Sequence, residues 1–222
     1  MSPVSPLFSP QNAPEVIPVF PLPGALLLPR GRLPLNIFEP RYLAMVDDAL
    51  KTEHRLIGMI QPRSCDTQKS GRELYDVGCA GRIVPFSEAD DGRYLIALTG
   101  VSRFEVREEV EGFQPYRRVS AAWDKFEMDP KRPQKDDPTF DKESFLKLVN
   151  VYFQTKSLDT DWDALGQADE ETIVNALSMM CPFSAGEKQA LLEAEDLSAR
   201  RQTLAALLQI DAAGDEPQGT MQ

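Results

Sequence analysis

Histidine is nearly missing from this 222-residue sequence, which has a single one, His54. A catalytic triad needs a histidine as its base, and a zinc site needs several histidine or cysteine ligands. His54 follows a predicted helix in a polar stretch, so we expect its side chain to be exposed to solvent. These shortages argue against a hydrolase and against zinc, and the sequence predicts no catalytic residue.

Two glycine patterns that hold nucleotides are also missing. None of the 13 glycines precedes a lysine, as a phosphate-binding P-loop requires, and no GxGxxG fingerprint for a dinucleotide occurs. We therefore expect no ATP or NAD site, no cofactor and no enzymatic activity.

Cysteine is scarce as well. Cys65, Cys79 and Cys181 are an odd number without a CxxC pair, which favours a reducing compartment over a disulfide framework. Residues 1–15 lack the basic segment of a signal peptide and are rich in proline, so we expect a disordered arm. The longest apolar stretch, 16–28, contains three prolines and is shorter than the roughly 20 residues of a membrane span. We predict a cytoplasmic protein without a membrane partner.

Basic residues are too few for a nucleic-acid surface. Lysine and arginine number 24 against 35 aspartates and glutamates, which gives a net charge of −11. The acidity lies in the second half, because residues 1–128 carry a net charge of −2 and residues 129–222 one of −9. A phosphate backbone would be repelled, so we expect no nucleic-acid partner.

The first half contains a series of strand-like runs, rich in β-branched and aromatic residues and separated by Gly, Pro and Asp. Such a series favours a β-barrel or a sandwich, and seven strands suit a small barrel. Asp91-Gly92 predicts a two-residue hairpin loop, and Gly78 and Gly81 indicate a bulge or a barrel corner. The predicted strands are 16–20, 33–38, 55–61, 75–86, 93–100, 102–110 and 116–128.

One helix interrupts these strands. Glu39 stands at its cap or first turn and Pro40 at its first position, and both residues are favourable there. We expect the helix to lie across an opening of the barrel. Its apolar stripe is formed by Tyr42, Met45, Val46, Ala49 and Leu50.

The second half is predicted to be helical, because apolar residues recur there at helical spacing. Ser184 with Glu187 makes a capping box for one helix, and Asp196 can cap the next. The chain as a whole is therefore expected to be α+β. The predicted divisions are a disordered arm at 1–15, a β-rich domain at 16–128, a linker at 129–138, a helical bundle at 139–210 and a disordered tail at 211–222.

One short pattern in this half has the spacing of a catalytic pair. Ser144 and Lys147 fit the SxxK spacing of a serine that is activated by a lysine. The SDN and KTG elements that accompany it in that class of enzyme are absent, so we interpret the match as chance.

A second pattern concerns calcium. Asp159, Asp161, Asp163 and Glu170 occupy positions 1, 3, 5 and 12 of an EF-hand loop. That loop requires glycine at position 6, where this sequence has alanine, and glycine stands where an apolar residue is usual. An acidic linker with aspartate helix caps is the favoured interpretation, and calcium is the minor alternative.

A resemblance to a known family rests on residues 18–42 (PVFPLPGALLLPRGRLPLNIFEPRY), 57–61, 75–84, 91–104 and, more loosely, 187–193 with Arg200. Over residues 16–210 the chain resembles the N-terminal, substrate-binding domain of Lon proteases and small bacterial proteins that consist of that domain alone. The resemblance implies a PUA-like β-barrel followed by a helical bundle. It also implies recognition of unfolded or damaged polypeptides, and it singles out no catalytic residue.

The ATPase and Ser-Lys protease domains of full-length Lon are expected to be absent, because the chain stops at Gln222. We therefore expect a stand-alone bacterial protein of this family. A peptidase label inherited from the family name would describe the missing domains.

Four apolar residues are candidates for binding an extended peptide at a sheet edge or in a groove. They are Leu26, Leu27 and Leu28, next to a proline, and Phe86, before the hairpin. Ordinary core packing is the favoured interpretation for each residue taken alone, and peptide contact is the alternative.

The junction between a strand and the helix is formed by Glu39, Pro40, Arg41 and Tyr42. The carboxylate of Glu39 can accept amide hydrogen bonds, and the guanidinium of Arg41 can bind carbonyl groups or that carboxylate. A structural clasp is the favoured interpretation, and contact with a ligand is the alternative.

The leading expectation is a non-catalytic module that binds polypeptide substrates or a partner protein, as an adaptor in proteolysis or a holder of unfolded chains. Whether it forms a homo-oligomer is left open. The runner-up is a small-molecule or nucleic-acid sensor, since PUA-like barrels elsewhere bind RNA. A hydrolase ranks third, for want of a base or a metal.

Overall fold

The computed structural model describes residues 8–9, 12–63, 73–131, 137–138 and 140–214. The strands are β1 (Val16–Pro21), β2 (Arg32–Ile37), β3 (Leu56–Ile60), β4 (Val77–Glu88), β5 (Tyr94–Glu109) and β6 (Arg118–Ala122). The α-helices are α1 (Pro40–Leu50), α2 (Lys142–Thr155), α3 (Trp162–Gln167), α4 (Glu170–Met180), α5 (Ala185–Glu193) and α6 (Leu197–Gly214). Most of the predicted N-terminal arm, Cys65, the middle of the predicted linker and the end of the predicted tail lie outside the described residues.

The strands form one sheet in the order β2-β5-β4-β3-β1-β6. β1 runs parallel to β3, and the other neighbours are antiparallel. The long strand β5 pairs with β2 through residues 94–99 and with β6 through residues 105–109. Because β6 also pairs with β1, the series of pairings returns to β5, and β2 is left with one strand neighbour.

The apolar core of the sheet follows from the alternation of side chains along the strands. Ile17 and Val19 of β1 point to the same side as Phe104 of β5, and all three are buried. Trp123, which follows β6, belongs to this cluster and donates its indole N–H to the carbonyl of Pro14 at 3.1 Å.

The sequence predicted two strands, 93–100 and 102–110, where the structure has the single strand β5. Gly100, the last residue of the first of these predicted strands, lies inside β5 and donates its N–H to the carbonyl of Gly31 at 2.9 Å. A Cβ atom at position 100 would collide with the backbone carbonyl of Leu28. The glycine therefore allows a close crossing of two chain segments instead of ending a strand.

The predicted hairpin and bulge are both present. The hairpin loop is longer than the two residues expected, because the N–H of Gly92 donates to the carbonyl of Ala89 at 2.9 Å and Ala89 itself pairs with Arg93. Gly92 has φ +79°, the conformation that ends a three-residue hairpin loop. The pairing of β4 with β5 is irregular at Ala80 and Gly81, as the glycine pattern indicated, and the extra residue there is Val101 of β5. A second irregularity lies between Ile83 and Phe86.

The last predicted strand, 116–128, is shorter than expected. β6 ends at Ala122, and residues Asp124–Phe126 form a turn of 3-10 helix. The turn brings the buried ring of Phe126 under the guanidinium of Arg103, 4.4 Å from the ring centre. This cation-π contact gives a physical reason for the end of the strand.

Arg103 of β5 is the main polar contact of the core. Its guanidinium forms a two-point ion pair with Asp129, with N···O distances of 2.8 and 2.9 Å, and its backbone N–H donates to the same carboxylate at 2.9 Å. It also donates to the carbonyl of Leu192 in α5 at 3.1 Å. Both side chains of the ion pair are almost fully buried.

The chain divides into two compact units, Met1–Arg132 with Pro182–Leu192, and Pro133–Cys181 with Glu193–Gln222. The predicted bundle at 139–210 had placed α5 with the other helices, whereas the structure places it with the strands. Two hydrogen bonds show why: Lys188 donates to the carbonyl of Gly24 at 2.8 Å, and Gln189 donates to that of Val77 at 3.1 Å.

The capping box predicted for α5 is present. The N–H of Ser184 donates to the carboxylate of Glu187 at 2.8 Å, and the N–H of Glu187 donates back to the Ser184 hydroxyl at 3.3 Å. This reciprocal pair begins the helix at the residue that the sequence indicated.

The second unit contains α2, α3, α4 and α6. The predicted tail was placed from residue 211 onward, but α6 continues to Gly214. Asp211 explains the extension, because it accepts a hydrogen bond from the hydroxyl of Tyr152 at 3.1 Å and pairs with Lys156 at 2.8 Å. Among the described helices, none combines the length and apolar character needed to cross a membrane.

Replacing Gly100 with alanine should lower the free energy of unfolding by about 1–3 kcal/mol, the usual cost of forcing extra atoms into a packed site. Gly186→Ala is the matched control, because no heavy atom lies within 4 Å of the Cβ it would add. Urea unfolding of the two variants measures the difference. A Gly100→Ala variant as stable as the wild type would contradict the close crossing.

Candidate functional site

The junction residues contact one another at the start of α1. Glu39 has extended backbone angles and Pro40 takes the first helical position, as predicted. The carboxylate of Glu39 accepts from the Nε of Arg41 at 2.9 Å and makes no capping bond to a helix amide. Both side chains are about half exposed, so this ion pair contributes at most about 1 kcal/mol. The geometry is that of a modest clasp.

Tyr42 follows this clasp and is buried. Its ring lies 4.1 Å from that of Phe20 in β1, and the Arg41 guanidinium lies over its other side at 4.5 Å. Burial raises the pKa of the Tyr42 hydroxyl above its usual value. Tyr42 thus packs α1 onto the sheet.

Leu26, Leu27 and Leu28 were candidates for peptide contact, and all three are buried. The loop that carries them is held by Gln61, which accepts from the N–H of Gly24 at 2.9 Å and donates to the carbonyl of Ala25 at 2.8 Å. The expectation of an exposed contact is wrong for these leucines, because their side chains pack in the interior.

Phe86 is exposed, as a contact residue requires, and it is not alone. Four exposed apolar side chains lie at the adjoining ends of β2, β4 and β5, and we call them the apolar end: Phe38 (65% exposed), Val84 (64%), Phe86 (43%) and Leu95 (47%). Phe86 lies on the face of its strand partner Ile96, and Leu95 lies on the opposite face. The ring of Phe86 packs edge-on against Tyr94 at 4.9 Å. The hydroxyl of Tyr94 donates to Asp47 of α1 at 3.1 Å, which raises the pKa of Tyr94 and fixes its ring.

The outer edge of β2 borders this end. The N–H of Gly100 pairs with the carbonyl of Gly31, so by the alternation of an antiparallel ladder Leu33, Leu35 and Ile37 pair with β5. The backbone groups of Arg32, Pro34 and Asn36 then face the free edge. Pro34 has no N–H to offer there, which limits uncontrolled edge-to-edge association.

The acidic residues of the calcium hypothesis do not converge. Asp161 caps α3 by accepting from the N–H of Ala164 at 2.9 Å, as the capped-linker interpretation requires. Glu170 is buried and pairs with Arg201. Within the part of the chain that the structure describes, no group of three acidic, histidine or cysteine residues could hold a metal ion.

The two residues of the SxxK pattern have other partners. Ser144 donates its hydroxyl to Asp141 at 2.6 Å, and Lys147 pairs with Glu143 at 2.7 Å. Both contacts are solvent-exposed and typical of the first turn of a helix. Neither contact activates the serine.

His54 was expected to be exposed, but it is half-buried in the wall of a pocket of about 110 Å³ beside α1. The pocket also contains Asp48 and Tyr116, whose hydroxyl donates to the Asp48 carboxylate at 2.8 Å. Burial, followed by this hydrogen bond, raises the pKa of Tyr116 to about 12. Hydrogen bonds from Tyr116 and Lys51 lower the pKa of Asp48. No spacing in the sequence indicated this pair, because its members are 68 residues apart.

Comparison with known proteins gives one consistent result. Residues 16–209 match the family model of the ATP-dependent protease La (LON) substrate-binding domain. Lon protease 2 of Sorangium cellulosum is 27% identical over 202 residues, which are 87% of this chain and 24% of that relative. Lon protease of Dictyoglomus thermophilum is 26% identical over 86% of this chain and 24% of its own length. The chain thus spans about a quarter of these curated relatives.

Solved structures support the fold. The Lon N-terminal domain protein from Xanthomonas campestris has a TM-score of 0.59 at 24% identity, covering 86% of this chain and 97% of that one. The N-terminal domain of Mycobacterium avium complex Lon protease has a TM-score of 0.62 at 16% identity, covering 87% and 98%.

Tyr116→Phe should reduce the loss of stability at alkaline pH. The hydroxyl titrates at about 12 in the folded chain against an ordinary value of 10.0, so its contribution is complete below pH 10 and is lost between 10 and 12. Urea midpoints measured across this range should fall more steeply in the wild type than in the variant. Parallel curves would show that burial and the Asp48 hydrogen bond do not raise the pKa of Tyr116.

Proposed function

We infer, since this chain belongs to the family of Lon substrate-binding domains, that it is a module that recognises unfolded or damaged polypeptides without acting on them chemically. The observation that carries this proposal is the apolar end. We propose further that the module delivers its clients as an adaptor in proteolysis.

The apolar end supports the proposal because its surface chemistry matches that of unfolded polypeptides. Folded proteins keep large apolar side chains inside, while unfolded ones expose them. Phe38, Phe86 and Leu95 offer apolar area that a client can cover, at roughly 25 cal/mol per Å² buried. Because Tyr94 is bonded to Asp47, the ring beneath Phe86 does not need to be ordered on binding.

The free edge of β2 supports the binding of an extended chain. A client strand can pair with the outward backbone groups of Arg32 and Asn36 and place its side chains against the apolar end. Backbone pairing is independent of sequence, as recognition of varied unfolded chains requires.

For the sheet we propose the PUA-like β-barrel that the resemblance implies. We take the return of the pairings from β6 to β5 as a small closed barrel of the PUA-like kind, with β2 attached outside it. In this description the apolar end lies where β2, β4 and β5 continue beyond the ring.

The alternative of a small-molecule sensor has weaker support. The pocket beside His54 holds about 110 Å³, whereas sites for drug-sized ligands usually measure roughly 300–1,000 Å³. A net charge of −11 disfavours nucleic acid.

The substitution Phe86→Ser should weaken binding of a polypeptide that is kept unfolded by reduction and alkylation. We expect a loss of about 5- to 30-fold, because a well-packed aromatic contact contributes about 1–2 kcal/mol. Phe38→Ser should act in the same direction. Phe113→Ser is the matched control, since Phe113 is fully exposed in the same unit but lies away from the apolar end. Fluorescence anisotropy with a labelled polypeptide measures the affinities. The proposal fails if the wild type does not bind, or if the control loses as much affinity as Phe86→Ser.

The substitution Pro34→Val should strengthen binding of the same unfolded polypeptide by about 2- to 10-fold. Valine supplies the N–H donor that proline lacks at the outer edge of β2, and a net hydrogen bond contributes about 0.5–1.5 kcal/mol. The same titration measures the change, with light scattering to correct for self-association. Unchanged affinity would mean that clients do not add to this edge.

A further inference from the structure

The strand unit also contains the pocket in whose wall His54 lies. The pocket of about 110 Å³ is bordered on one side by β1 and the start of β3, and on the other by the end of α1. Its walls are apolar over most of their extent, with Ile17, Pro18 and Leu56 among them. Its polar side is formed by Asp48, His54 and Tyr116.

Among the residues that the structure describes, no strand pairs with the adjoining part of β1 on the side opposite β6. β3 pairs with β1 only from Val19 onward, whereas β6 pairs with residues 16–18 on the opposite side. The N–H of Val19 donates to Arg117 next to β6, so by alternation the backbone groups of Val16 and Pro18 face away from β6. An extended segment can therefore lie along this stretch and bond to it.

Asp48 gives the pocket its charge. It is the one carboxylate among the lining residues that the structure describes, and hydrogen bonds from Tyr116 and Lys51 keep it ionised by lowering its pKa. The Lys51 ammonium, 3.1 Å from the carboxylate, is 73% exposed and therefore screened by water. An incoming cation can share or replace that partner.

We propose that this pocket accepts the side chain of a lysine in an extended segment of a client polypeptide. The aliphatic stem lies along the apolar walls, the ammonium binds Asp48, and the client backbone bonds to Val16. This inference rests on the proposed function and adds to it a preference for basic side chains.

The chemistry of the walls favours a long basic side chain over an apolar one. Lysine normally covers apolar surface with its methylene groups while its ammonium binds a charge or water. A purely apolar occupant would remove water from Asp48 without replacing it, which is unfavourable. His54, which makes no side-chain hydrogen bond among the described residues, offers a further polar contact at the rim.

The direct test is a titration with three capped pentapeptides, acetyl-Thr-Val-X-Val-Thr-amide, in which X is lysine, norleucine or glycine. Norleucine has the same length of stem as lysine without its charge. His54 is the single histidine of the chain, so its ring proton signals in an NMR spectrum report on the pocket alone. The lysine peptide should shift these signals and bind about fivefold more tightly than the norleucine peptide at low salt.

Two variants test the role of charge. Asp48→Asn keeps an oxygen acceptor for Tyr116 but removes the charge, and it should abolish the preference for lysine. Lys51→Ala removes a competing cation and should strengthen binding of the lysine peptide about two- to fivefold. If Asp48→Asn disturbs the fold, salt provides the same comparison in the wild type, because it should weaken the lysine peptide only.

Equal affinities of the lysine and norleucine peptides, or no shift of the His54 signals, would overturn this inference. If the unfolded polypeptide binds but the lysine peptide does not shift the His54 signals, the proposed function stands and the lysine pocket does not. Absence of that binding would remove the proposed function even if the pocket takes lysine.

Discussion

A buried guanidinium holds together the unit that carries the candidate sites. Arg103 lies in the middle of β5, and a charge in such a place costs several kcal/mol unless it is paired and hydrogen-bonded. Asp129 and the carbonyl of Leu192 supply the pairing. Since Leu192 is 89 residues away in the chain, this requirement brings α5 onto the strands. It also anchors the strand on which β2, β4 and β6 pair.

The two recognition elements follow from different features of this unit. The apolar end exists because β2, β4 and β5 present Phe38, Val84, Phe86 and Leu95 to solvent without a partner element among the described residues. The pocket exists because the first half of β1 pairs with β6, whereas β3 pairs with β1 only from Val19 onward. We propose apolar client side chains for one element and a basic client side chain for the other, with an extended client bonded to backbone groups at both.

Local chemistry was enough to predict much of the fold. Pro40 and the apolar stripe of α1, the turn at Gly92 and the capping box of α5 depend on neighbouring residues, and each is in place. Long-range contacts were not predictable in this way. Gly100 was placed at the end of a predicted strand, because the close approach of the Leu28 carbonyl to it is visible only in three dimensions. The leucines at 26–28 had the composition of an exposed loop, yet the loop is folded inward by Gln61.

The candidate site was predictable in the same uneven way. Phe86 was identified from its place before a hairpin, and it is exposed. Its companions Phe38, Val84 and Leu95 lie in or next to three different strands. The pairing register of those strands cannot be read from the sequence. The pair of Asp48 and Tyr116 joins a helix to the segment before β6, so only the fold reveals it.

Hydrogen-deuterium exchange of the whole chain, with and without a permanently unfolded polypeptide, tests the account most directly. Client binding should slow exchange at the outward amides of Arg32 and Asn36 and in residues 84–95, with little change in α2, α4 and α6. Protection confined to those helices, or none at all when the client is bound, would contradict recognition by the apolar end.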